Sequence, residues 1–200
     1  MEFYAIMTDR TSAKNKIIER KIRNCISKFP TYINEFLMYF DIRIVLCNIK
    51  DTYGVSGKGS YVAHSSYGMN SYLISIDNTS IMGIENVLCH EIGHFIDDAV
   101  GCIINGKEIT QENTKKYKIS YTQKEYQEAV SCEHDFFVQC KRSGNEEMDK
   151  RDYSEVFADC FAEMILGRKT HSLFNTKRII LKYTKPIIEN YQFDKKVAIS

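Results

Sequence analysis

Ile84-Glu85-Asn86-Val87-Leu88-Cys89-His90-Glu91-Ile92-Gly93-His94-Phe95-Ile96-Asp97-Asp98-Ala99-Val100-Gly101 is the stretch on which the fold turns. Ile84, Leu88, Ile92, Phe95, Ile96 and Ala99 recur at three- and four-residue steps, so at about 100° per residue they cover one arc of a helix. His90 and His94 fall together on roughly the opposite side. The pattern predicts a helix over 84–100, stopped by Gly101, with a core face and a separate polar face.

Two imidazoles four residues apart on one helix face can grip one metal ion, and Glu91 beside them can reach a metal-bound water; this is the H-E-x-x-H pattern. A catalytic zinc takes three protein ligands and leaves a fourth position to water. Val100 stands where a third histidine, six residues after His94, would complete one variant of the site. The best third ligand is therefore Glu155, in Tyr153-Ser154-Glu155-Val156-Phe157-Ala158-Asp159-Cys160-Phe161-Ala162-Glu163. A helix over 152–166, stopped by Gly167, puts Glu155 and Asp159 on one face, where Asp159 can accept a hydrogen bond from His90 and fix its tautomer. Glu155 also reads as the partner of Asp152 in a capping box. Glu133, His134, Asp97 and Glu163 compete for the third position, while His64 and His171 sit in loop-like settings and read as surface residues.

Upstream, apolar spacing predicts a helix from Asn15, interrupted at Pro30, and a second piece over 32–40. Ile42, Ile44 and Leu46 alternate as a strand, and Ser60 to Ala63 and Ser71 to Asp77 read as two more, separated from the first by a glycine-bearing loop over 51–60. Downstream, 105–120 reads as a polar loop with some helix, Tyr121 to Lys141 as helix, 144–152 as loop, and Leu173 to Phe193 as helix interrupted at Pro186. The fold class is α+β, in a single domain over 1–200, with a helix-and-sheet part over 1–80 and a mostly helical part over 81–200.

The chain has 200 residues, 44% hydrophobic and 26% charged, with 2 Pro and 10 Gly, which excludes collagen-like and largely disordered classes. Its 27 Lys plus Arg against 26 Asp plus Glu give a formal net charge of +1, so nothing in the charge balance points to a nucleic acid or a membrane surface. Seven cysteines, odd in number and never paired as C-x-x-C, are not a disulfide framework. No apolar run approaches a membrane span, and the N-terminal residues lack the features of a cleaved leader. The expectation is a cytoplasmic protein in the producing cell, with delivery by a non-classical route as the alternative.

In the two helices the chain resembles the peptidases related to the catalytic domain of anthrax lethal factor, including the Pro-Pro endopeptidases. Their pattern is HExxH followed shortly by Asp, then a helix of the form E-x-F-A-E/D-x-F. Here those pieces are His90 to Asp98 and Glu155-Val156-Phe157-Ala158-Asp159-Cys160-Phe161. Weaker similarity covers Tyr32 to Asp51 and Lys182 to Tyr191, so the resemblance spans about Lys16 to Tyr191. It implies a zincin-like fold, in which a small mixed β-sheet precedes the HExxH helix and the glutamate-ligand helix. It further implies one Zn²⁺ per chain on His90, His94 and Glu155, with Glu91 as general base. Asp159 would support the ligands from behind, and Asp97 and Asp98 would support rather than ligate. The family places an oxyanion-stabilising tyrosine seven residues before the glutamate ligand; Met148 stands there, leaving Tyr153 as the candidate.

The expected activity is zinc-dependent endopeptidase cleavage of a protein or peptide substrate by a monomer, with neither nucleic acid nor membrane as partner. The strand 71–77 is expected to be the edge on which an extended peptide adds, with Tyr72 and Ile74 as substrate-binding residues and the loops around Gly68 and Lys107 flanking them. The rival readings are an intracellular regulatory zinc peptidase that cuts repressors, and a catalytically degenerate zincin that binds without turnover.

Overall fold

Ile42, Ile44 and Leu46 are buried in strict alternation with more exposed neighbours, and they form the middle of a four-stranded sheet. The computed structural model describes residues 4–8, 12–54, 56–66, 69–133, 150–168 and 173–198. Chain order is β1 (Tyr4–Thr8), α1 (Ala13–Ile26), α2 (Thr31–Leu37), β2 (Asp41–Cys47), α3 (Ile49–Tyr53), β3 (Gly59–Ser66), β4 (Met69–Asp77), α4 (Ile84–Ile104), α5 (Gln111–Thr114), α6 (Ile119–Thr122), α7 (Lys124–Cys132), α8 (Lys150–Ile165) and α9 (Phe174–Ala198). The fold is mixed α+β. Strand order is β1-β2-β4-β3, with β1, β2 and β4 parallel and β3 antiparallel to β4.

The sheet corrects one expectation directly. Strand β4 lies between β2 and β3, so its backbone is paired on both sides and it is not an edge. The edge on that side is β3.

Helix α4 lies against the sheet, and its Leu88, Ile92, Phe95, Ile96 and Ala99 are fully buried. They join Ile18 and Ile22 of α1, Phe36 of α2, Ile44 of β2, Ile74 of β4 and Phe157 of α8 in one cluster. The Phe95 ring meets Tyr72 at 4.8 Å and Phe40 at 5.0 Å between centroids, both edge-on, the arrangement that aromatic quadrupoles favour. Cys25 of α1 and Cys89 of α4 are buried with their sulfurs 3.6 Å apart, and no disulfide occurs among the described residues.

Gly101 does not stop α4, which runs on to Ile104. A Cβ at Gly101 would collide with the Tyr117 carbonyl and lie 2.6 Å from the Ile119 nitrogen, so this glycine serves a close crossing of backbones. Pro186 likewise sits inside α9 rather than breaking it. Ile180 and Ile188 on either side are both buried in the core, and that packing holds the helix through the missing donor. Two further elements were not anticipated: strand β1, and the short α3, which runs into the start of the expected loop. Gly167, at φ +62, ends α8 as the pattern suggests. Among the described residues, no helix is long and apolar enough to cross a membrane.

Candidate metal centre

Gly93 decides how close the two site-bearing helices come. A Cβ there would lie 2.8 Å from the Ala158 Cα, so α8 packs directly on the α4 backbone. That contact brings Glu155, one turn before Ala158, over His90 and His94. The Nε2 atoms of the two histidines are 3.1 Å apart; Glu155 Oε2 is 3.4 Å from His90 Nε2, and Oε1 is 3.8 Å from His94 Nε2. One donor atom from each of the three residues falls within 4.8 Å of the others. All three side chains are mostly buried.

A tetrahedral zinc with ligand bonds near 2.0–2.1 Å has ligand-to-ligand edges of about 3.3 Å. The spacings observed bracket that value, and two imidazole nitrogens with one carboxylate are a donor set that zinc takes. The residues therefore fit such an ion.

The outer ring nitrogens are both engaged. His90 Nδ1 lies 2.7 Å from Asp159 Oδ1, and His94 Nδ1 lies 3.3 Å from Ser154 Oγ. Each contact leaves Nε2 facing the common point, the usual arrangement for a ligating imidazole. Burial works to lower the His90 pKa, but the hydrogen bonds with Asp159 and Glu155 outweigh it and carry it up to about 10.

Glu91 is 6% exposed. Burial pushes its carboxyl up to about 7, opposed by His90 and reinforced by Glu155, which places it in the range useful to a general base. Asp97 is fully buried and receives the Ser120 N–H at 2.9 Å, the Ser120 hydroxyl at 2.6 Å and the Ser154 hydroxyl at 3.2 Å. Burial raises its pKa, while Lys118 and these hydrogen bonds work against the rise.

Asp98 is placed otherwise than expected. Its Oδ1 lies 2.7 Å from Lys118 Nζ, so it ties the segment before α6 to α4 rather than backing a ligand. Asp97, expected beside it to support the ligands, does reach His94 through Ser154. The sequence reading missed Ser154, whose one signal was its position next to Glu155 in a helix where a buried serine needs a partner.

Tyr72 and Ile74 are 3% and 0% exposed. Both point into the core, and the Tyr72 hydroxyl donates to the Ile109 carbonyl at 3.0 Å, so neither offers a side chain to a bound peptide. Tyr153 is also turned from its expected role. Two residues from Glu155, about 200° around the helix, its phenol lies 3.0 Å from Ser131 Oγ on α7. There it lines a 440 Å³ cavity with Gln127, Glu128 and Cys132.

Asp152 is inside α8 rather than at its cap position, so the capping reading of Glu155 does not apply. Of the competing ligands, Glu133 caps the start of α9 through the Asn175 and Thr176 N–H groups, and Glu163 pairs with Lys177 at 2.6 Å. His64 is exposed on β3. His134, Met148, His171 and Gly68 lie outside the described residues. No family model matches the chain, and no curated protein matches it in sequence.

Proposed function

We propose that the protein is a zinc-dependent endopeptidase of zincin type, related to the lethal-factor and Pro-Pro endopeptidase group that its two motif helices resemble. The observation that carries this reading is the convergence of His90 Nε2, His94 Nε2 and the Glu155 carboxylate, one donor atom of each within 4.8 Å of the others, with the buried Glu91 beside His90. Zinc held there supplies Lewis acidity to a water and to the scissile carbonyl. Glu91 takes the proton of the attacking water and returns it to the departing amine; a carboxyl desolvated to a pKa of about 7 suits both transfers.

The edge strand β3 is where an extended peptide adds by main-chain pairing. Gly59 at its start supports this, because a Cβ there would lie 2.9 Å from Glu91 Cγ and 2.6 Å from Val87 Cγ1. That contact sets the start of the edge strand directly beside the general base. The placement of the Tyr153 phenol against Ser131 favours, as a second reading, a zinc-binding protein with slow or no turnover.

Cleavage of a peptide library, read by mass spectrometry with and without chelator, tests the proposal alongside metal analysis of the purified protein. The expected result is one zinc per chain and chelator-sensitive cutting, which Glu91→Gln lowers by about 10²–10⁴-fold without loss of zinc. A zinc-loaded parent that cuts nothing leaves the second reading, and a parent that takes up no zinc sinks both.

A further inference from the structure

The hydrogen-bond chain behind His94 has a direction, and it can be read from donor counts. Asp97 receives three donors: the Ser120 N–H on Oδ1, and the Ser120 and Ser154 hydroxyls on Oδ2. A serine hydroxyl carries one hydrogen. Because Ser154 gives its hydrogen to Asp97, only its lone pairs remain for His94 Nδ1, 3.3 Å away. His94 must then be the donor in that contact. That puts its proton on Nδ1 and turns the Nε2 lone pair toward the common point with His90 and Glu155.

We propose that Ser120, Asp97 and Ser154 form a directional relay that holds the His94 proton on Nδ1, making Ser154 the positioning residue for this ligand. The proposal rests on the metal reading for its purpose but not for its geometry. It differs from the support of His90, where a half-exposed carboxylate meets the ring directly. His94 instead meets a neutral hydroxyl whose orientation is imposed by a carboxylate buried one step further in. Three helices contribute, α6, α4 and α8, so the relay also registers them against one another.

The directionality makes an unusual demand on Asp97→Asn, which is nearly isosteric and touches no proposed ligand. The Ser120 N–H continues to fix an oxygen at the Oδ1 position, so the amide nitrogen falls at the Oδ2 position, facing both hydroxyls. That nitrogen donates to Ser154, whose hydrogen then turns to His94 Nδ1. The His94 proton moves to Nε2, where it blocks ligation.

Nitrogen-15 NMR of histidine-labelled full-length protein reads which ring nitrogen carries the proton, and competition with a chromophoric chelator reads zinc affinity. In the parent, metal-free and zinc-loaded, His94 is expected with its proton on Nδ1. Ser154→Ala should weaken zinc about 10–100-fold, and Ser154→Thr, which keeps the hydroxyl, should restore it to within about threefold. Asp97→Asn should weaken zinc at least as much as Ser154→Ala and move the His94 proton to Nε2.

The proposal is overturned by a metal-free parent with the His94 proton on Nε2, a result that needs no variant to fold. It is equally overturned by folded Asp97→Asn and Ser154→Ala proteins that keep the parent's tautomer and affinity. If the parent takes up no zinc while His94 shows the Nδ1 proton and Asp97→Asn reverses it, the relay stands and the metal reading fails.

Discussion

Asp159 Oδ1 lies 2.7 Å from His90 Nδ1, across the ring from the Nε2 atom that faces Glu155. A carboxylate there favours the tautomer with the proton on Nδ1 and keeps the ring from turning. Asp159→Ala should reduce zinc affinity about 10–100-fold, measured by chelator competition. Asp159→Asn, whose amide oxygen still accepts from Nδ1, should lose less. Equal affinities in parent and Asp159→Ala would remove Asp159 from the site.

His90 in the metal-free protein holds its proton up to about pH 10, because Asp159 and Glu155 outweigh the cost of burying the charge. A metal must displace that proton, so affinity rises with pH, by up to about tenfold per unit below 10 for one proton released. Isothermal titration calorimetry in two buffers of different ionisation heat counts the protons, and a pH-independent affinity between 6 and 9 would contradict the assignment. The same raised pKa bears on stability of the metal-free form. The folded value exceeds the unfolded one, so this stabilisation is complete below about 6.5 and is lost as pH rises through about 10.

Gly93→Ala would place a methyl 2.8 Å from the Ala158 Cα and 3.2 Å from the Phe161 Cβ, both on α8. The neighbour is backbone, so the helices must part. Overpacking of this kind costs about 1–3 kcal/mol, seen as a lowered thermal midpoint. Zinc affinity should fall with it, because Glu155 rides on the helix that moves. A variant with unchanged affinity would show that Glu155 does not depend on the close crossing.

Tyr153→Phe should leave any peptide cleavage within about threefold of the parent. Its phenol is bonded to Ser131 on α7, and loss of a true oxyanion donor would cost about 10²–10³-fold in turnover. A loss of that larger size would return Tyr153 to the reaction.

The helical spacing of His90 and His94 was legible because both lie within one turn, and so was the shared face of Glu155 and Asp159. The alternation of Ile42, Ile44 and Leu46 disclosed β2 for the same reason: periodicity is a local property of the chain. Gly101 and Pro186 misled because their local propensity to end helices yielded to tertiary packing, a backbone crossing at one and buried isoleucines flanking the other.

What the sequence determined by itself was the pairing of His90 with His94 on one helix face and of Glu155 with Asp159 on another. Only the tertiary structure decided that β3 rather than β4 is the edge, that Tyr72 and Ile74 belong to the core, and that Asp97 backs the site while Asp98 pairs with Lys118. The physical reason is distance along the chain. Ser154 meets Asp97 across 57 residues and Ser120 meets it across 23. Such contacts are set by how helices and strands pack on one another, and neighbouring residues carry no record of them.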